Sequence, residues 1–179
     1  MTGGTSEATS ELAGAHGYGL FLAPLLPFAA LERWIRVYQE SCAKHGHTPH
    51  LIYLRPIYLG DDAAQIRREC EPYLLNFLAY GSKPFELIRH SKEELEKAGY
   101  GFYASVTAES LTTLSYDDLV EQEWAFVGTP AQVIDKLGWL QEKAGITEFD
   151  ILANYGGMPH WQALKQQELF ARHVMPAFR

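Results

Sequence analysis

Apolar positions along this chain alternate between stripes at helical spacing and short continuous runs. The first helix is predicted over about residues 6–15. Gly3 and Gly4 precede it, Thr5 or Ser6 caps it, Glu7 lies in its first turn, and Gly17 sits just past its end. Tyr18 to Ala23 is then an apolar run stopped by Pro24, the pattern of a buried strand. Leu31, Ile35, Tyr38 and Cys42 fall at i, i+4, i+7 and i+11, so residues 28–44 read as a helix with one apolar stripe, ended by Gly46. His50 to Leu59 is the second strand. Pro56 either ends it near Arg55 or bulges it, because proline lacks a ladder donor. Asp61 caps a third helix over about 62–79, with Ile66, Cys70, Leu74 and Phe77 as its stripe and Pro72 expected to kink or split it.

Residues 80–124 break the alternation. Ser91-x-x-Glu94 caps a short helix ending at Gly99, and Ser115-x-x-Asp118 caps another ending near Trp124. Tyr100, Phe102 and Tyr103 cluster around Gly101 between them. This is an insertion of small helices and loops, where a lid or substrate wall belongs. Order returns at Trp124 to Gly128. Thr129 then caps a helix with Pro130 at its first position and Gln132 completing a capping box. Val133, Leu137, Leu140 and Ala144 form its stripe, and Gly145 ends it. Phe149 to Asn154 is the third strand, and Met158-Pro159 opens a last helix that stops before Pro176. Strands alternating with amphipathic helices predict βαβ units and a parallel α/β sheet.

Composition narrows the picture. A chain of 179 residues with 47% hydrophobic and 21% charged residues has the material for a core, in one domain. Fifteen basic against 22 acidic residues give a net charge of −7, with no basic cluster. Nucleic acid and anionic membranes are therefore not expected partners. The longest apolar run, Leu20 to Leu31, is interrupted by Pro24 and Pro27 and falls short of the roughly 20 residues of a membrane span. Two cysteines, Cys42 and Cys70, make no disulfide framework, and no secretory signal is visible. A cytoplasmic protein is expected.

Few groups suggest chemistry. Gly3-Gly4-Thr5-Ser6 leads into a helix whose free N–H groups and positive dipole end make an anion site, with Thr5, Ser6 and Thr9 hydroxyls as further donors. An ordinary capped helix has the same pattern. Cys42, His45, His47 and His50 suggest a metal cluster. However, Cys42 completes an apolar stripe, and the spacing matches no closed structural site. Gly156-Gly157 is either a ligand-contacting loop or a tight turn. Arg55 either faces a pocket or sits at a solvated edge. Sequence motifs for serine hydrolysis, P-loop chemistry and zinc proteolysis are absent.

Phe126-Val127-Gly128-Thr129-Pro130-Ala131-Gln132-Val133, the closing Gly156-Gly157-Met158-Pro159 and Val174-Met175-Pro176, and the opening Gly3 to Thr9 together resemble the luciferase-like flavin monooxygenases. The resemblance covers nearly the whole chain. It implies a (β/α)8 barrel of which only the C-terminal half is present. The three strands would be the sixth, seventh and eighth, the fifth would be at most a stub, and the first four would be absent. It also implies flavin mononucleotide (FMN), or alternatively the deazaflavin F420, at the C-terminal mouth of the barrel. The phosphate would be held partly by the segment matching Thr5, Ser6 and Thr9. The family's other flavin contacts, and the imidazole that some members use in catalysis, lie in the missing half, so catalytic residues stay unknown.

In such a protein reduced flavin and oxygen act on a small organic substrate, with residues 80–124 as a variable wall or lid. An isolated half is incomplete as an enzyme. It requires a partner, either an N-terminal half-barrel or further copies of itself, to pack the inner strand faces and open edges. The alternatives are a non-catalytic flavin- or phosphate-binding half-barrel and a structural remnant that self-associates.

Overall fold

The computed structural model describes residues 1–4, 6–22, 24–86, 92–97 and 113–178. Thr5, the Ser91 cap, the Gly99 helix end and Tyr100, Phe102 and Tyr103 lie outside the described residues. The elements are β1 (Thr2–Gly3), α1 (Glu7–Ala15), β2 (Leu20–Leu22), α2 (Phe28–His45), β3 (Leu51–Leu59), α3 (Ala63–Glu86), α4 (Lys92–Lys97), α5 (Tyr116–Glu121), β4 (Phe126–Gly128), α6 (Pro130–Ala144), β5 (Glu148–Leu152) and α7 (His160–His173), then a 3-10 turn, Met175–Phe178.

The described sheet has five strands, all paired in parallel: β1 on β2, β2 on β3, and β4 and β5 both on β3. Three strands were expected, with a stub before them. The stub is β1, and the addition is β4. Its three residues carry no alternation, and it exists through pairing with the end of β3.

Hydrogen bonds explain how β3 runs through Pro56. Leu20 N–H donates to the His50 carbonyl and Gly60 N–H to that of Gly128, so even-numbered peptides of β3 face first β2 and then β4. Pairing with β2 ends at Tyr53, and pairing with β4 begins at Ile57. The N–H that Pro56 lacks falls in the gap between them, so the strand neither ends nor bulges. Odd-numbered peptides face β5 until it stops. Beyond it, the Gln166 side chain of α7 receives Leu59 N–H and donates back to the Leu59 carbonyl, capping the edge as a strand would.

One face of the sheet carries Leu20, Leu22, Leu51, Tyr53, Ile57 and Phe126, packed under α2 and α6. The other face carries Phe21, Ile52, Leu54 and Leu152. Ile52 is buried there, while Phe21, Leu54 and Leu152 are only half-buried.

Helix α3 departs most from expectation. Asp62, not Asp61, caps it, through the Gln65 N–H. It continues through Pro72, whose ring is exposed on the outer side, and on to Glu86. It lies over the C-terminal ends of the strands rather than in the outer layer. Leu74, Phe77 and Leu78 meet Pro24, Pro56 and Trp124, and the Phe77 ring meets that of Tyr155. The outer helix following β3 is α6, which starts with the Thr129–Gln132 capping box read from sequence.

Arg55 fixes these ends in place. It is fully buried, facing neither a pocket nor a solvated edge. Its Nε donates to the Glu123 carbonyl at 2.7 Å, and its two terminal nitrogens donate to the carbonyls of Leu54 at 2.7 Å and Leu26 at 2.9 Å. The guanidinium stacks 3.8 Å above the Tyr53 ring. Burial lowers its pKa to about 10, which leaves it charged at neutral pH. It thus ties the turn after β2 to the turn before β4. Replacing Arg55 with methionine leaves these carbonyls buried without their donor. We predict a loss of about 1–3 kcal/mol, the cost of leaving buried carbonyls unpaired, read as a lower urea midpoint at unchanged slope.

Candidate functional site

The C-terminal end of β1 leads directly into α1. Ser6 is the N-cap, its extended backbone turning the chain and its Oγ accepting the Thr9 N–H at 3.2 Å. The Ser6 and Thr9 hydroxyls lie 3.0 Å apart, so the one-turn spacing does bring them together. Both residues are half-buried. Gly4 N–H is anchored to the Phe21 carbonyl, while among the described residues nothing but its chain neighbours lies within 4 Å of where a side chain on Gly3 would begin. Helix geometry leaves the N–H groups of the first turn without intrahelical acceptors. Glu7 is held to one side by Arg33 at 2.6 Å, which offsets its charge beside the cap. Two hydroxyls and the first-turn amides of a helix are the kinds of group that bind anions.

Other sequence candidates resolve differently. Cys42 is fully buried in the core, His45 Nδ1 pairs with the Ser41 carbonyl, and His50 Nε2 lies 2.9 Å from Glu148. Among the described residues no three His, Cys, Asp or Glu side chains converge on a metal position. Gly156 has φ +59°, and a Cβ there would lie 1.8 Å from the Tyr73 carbonyl oxygen. The Gly-Gly turn therefore seats α3 by direct backbone approach. Trp124 is buried beneath α3 and α5.

Sequence reasoning missed a cavity of about 390 Å3 at the C-terminal end of β3. Tyr58, Asp62, Glu69, Pro130, Lys165 and Leu169 are on its wall. Tyr58 OH donates to Glu69 at 2.6 Å and accepts from Gln162, and Gln65 also donates to Glu69, at 2.7 Å. These bonds, that of Tyr58 foremost, hold the Glu69 carboxyl below its ordinary range. Burial and the bond to Glu69 push the Tyr58 hydroxyl far up. The strand pattern marks Tyr58 as buried, but nothing local pairs it with Gln162, which stands 104 residues away.

The sequence model of the family described as luciferase-like monooxygenase matches residues 1–148. No curated protein matches the chain. Among solved structures the chain is similar to the monooxygenase RslO1 from Streptomyces bottropensis, with TM-score 0.64 and 20% identity over 98% of this chain and 46% of that one. It is also similar to the oxygenating constituent of 3,6-diketocamphane monooxygenase from Pseudomonas putida, solved with FMN, with TM-score 0.62 and 19% identity over 97% and 46%. A third is the coenzyme F420 dependent tetrahydromethanopterin reductase from Methanopyrus kandleri, with TM-score 0.58 and 18% identity over 99% and 50%. The fold is theirs, and the chain spans about half the length of each.

Two outcomes follow from this geometry. Gly156→Ala forces α3 off its seat and strains a left-handed backbone position, so the thermal midpoint falls by several degrees, equivalent to roughly 1–3 kcal/mol. Tyr58→Phe removes the leading donor to Glu69, whose carboxyl then titrates higher, toward its ordinary range, in a carbon-detected NMR titration. The sign for stability agrees. A depressed carboxyl contributes stability above its unfolded pKa and loses it as pH falls through the folded value. The variant flattens that acid-side dependence.

Proposed function

The chain belongs to the luciferase-like monooxygenase family, and on that footing we propose that it is the C-terminal half of a flavin-dependent monooxygenase acting on a small organic substrate. FMN is the proposed cofactor, with deazaflavin F420 as the alternative. The observation that carries the reading is the cradle at the start of α1, on the mouth side of β1. Thr5, Ser6 and Thr9 are the proposed phosphate contacts, together with the first-turn amides of α1. When bound, the flavin supplies the redox chemistry with oxygen. The chain's own part is to bind and orient its phosphate end and to exclude water from the strand ends.

Residues 80–124 act as wall or lid, and α3 adds to that wall from below. The remaining barrel wall comes from a partner half. Both cysteines are free and buried, which fits our placement of the protein in the cytoplasm. Among the described residues no helix is long and apolar enough to cross a membrane.

The half-length span favours a second reading, a flavin- or phosphate-binding half-barrel without turnover. Transfer of an oxygen atom from O2 into an organic product, over the protein-free autoxidation of reduced FMN, separates it from the first.

The site itself is tested by titrating FMN into Ser6→Gly and Thr9→Val variants. Glycine preserves most of the capping, which alanine would forfeit because Ser6 is the N-cap. A charge-assisted hydrogen bond contributes about 1.5–3 kcal/mol, so each variant weakens binding by roughly tenfold or more. Unchanged affinity in both would place the phosphate elsewhere.

A further inference from the structure

The two sheet edges of this chain are complementary to one another. Among the described residues β1 pairs only with β2, and β5 pairs only with β3. Every residue of β5 keeps part of its surface open, whereas β3 is buried at all positions but Leu54. Parallel strands ordinarily bury both faces, so β5 lacks a neighbour. The four strands β1, β2, β3 and β5 follow one another across one parallel sheet. Two such sets supply the eight strands of a closed barrel.

The outer helices beside those edges match as well. On α7, Trp161 is 66% and Leu164 44% exposed, one turn apart. On α1, Leu12 is 57% exposed. The exposed Glu11 adds charge to an α1 that holds no lysine or arginine, while α7 offers exposed Lys165 and Arg172 against Glu168.

Resting on the half-barrel reading, we infer that a second copy of this chain occupies both edges. β5 of each copy pairs in parallel with β1 of the other about a two-fold axis, and Trp161 and Leu164 on α7 pack against Leu12 on the partner's α1. The pairing removes all four open edges at once. It also completes the wall around the Ser6–Thr9 cradle, which sits at the edge the second copy covers.

Sedimentation equilibrium of the full chain tests this. The expected result is a species of twice the 20.2 kDa chain mass. Leu12→Glu and Leu164→Glu, at exposed positions and checked for intact folding by circular dichroism, should each weaken it at least tenfold. Glu11→Lys should weaken it too, and Arg172→Glu combined with Glu11→Lys should recover part of the loss. A wild-type chain that stays monomeric up to about 100 μM overturns the inference, leaving the edges to a different half-barrel. A dimer indifferent to all these variants overturns it equally. FMN titration of the same samples keeps the two readings apart. Retained binding in a monomer sinks only the dimer, whereas loss of both sinks the half-barrel reading.

Discussion

The arrangement of strand ends depends on one buried cation. Arg55 is carried into the interior by β3, and its fork is satisfied by carbonyls from its own strand and from two distant turns. An uncompensated buried charge is strongly destabilising, so the chain gains by bringing Leu26 and Glu123 to it. Glu123 accepts this role in a left-handed conformation, φ 57°, and its carboxylate is held by Lys136 at 2.7 Å. Tyr53 adds its ring below the guanidinium and a hydroxyl bond to the same Glu123 carbonyl, 3.3 Å away. The turn after β2 and the entry to β4 are thereby fixed relative to β3. The floor on which α3 rests follows from them.

That constraint explains which features were legible in the sequence. Most helix starts were readable because their chemistry is local, that of α3 falling one residue off, at Asp62 rather than Asp61. The Ser6 cap, the Ser115–Asp118 box and the Thr129–Gln132 box all close within one turn. So was the stripe of α2, whose Leu31, Ile35, Tyr38 and Cys42 are all buried. Features that hinge on distant partners were not readable. Strand β4 takes its identity from β3, nearly 70 residues earlier. The continuity of β3 through Pro56 requires that pairing with β2 stop at Tyr53 and that pairing with β4 begin at Ile57, just past the proline. Arg55 reads as a pocket or edge residue because its acceptors are backbone carbonyls, which leave no trace in side-chain spacing.

The candidate site shows the same division. The Ser6–Thr9 pair was legible because three residues make one helical turn. The half of the site that would enclose a flavin ring was legible only as an absence, through family resemblance, and the matched structures bear out the fold at about half their length. Gly156-Gly157 carried two readings until α3 was placed against it. Its backbone contact with Tyr73 makes the turn a seat for the mouth-covering helix. The Tyr58–Glu69–Gln162 network joins β3, α3 and α7 and had no sequence signature at all.

The central claim is that the cradle at the start of α1 holds the phosphate of a flavin. Backbone amide NMR during parallel titrations with FMN and with riboflavin, which lacks the phosphate, tests it most directly. With the phosphate bound there, the amides of Gly4, Ser6, Glu7, Ala8 and Thr9 shift with FMN and stay in place with riboflavin. Equal shifts with both ligands, or FMN shifts centred away from the start of α1, would contradict it.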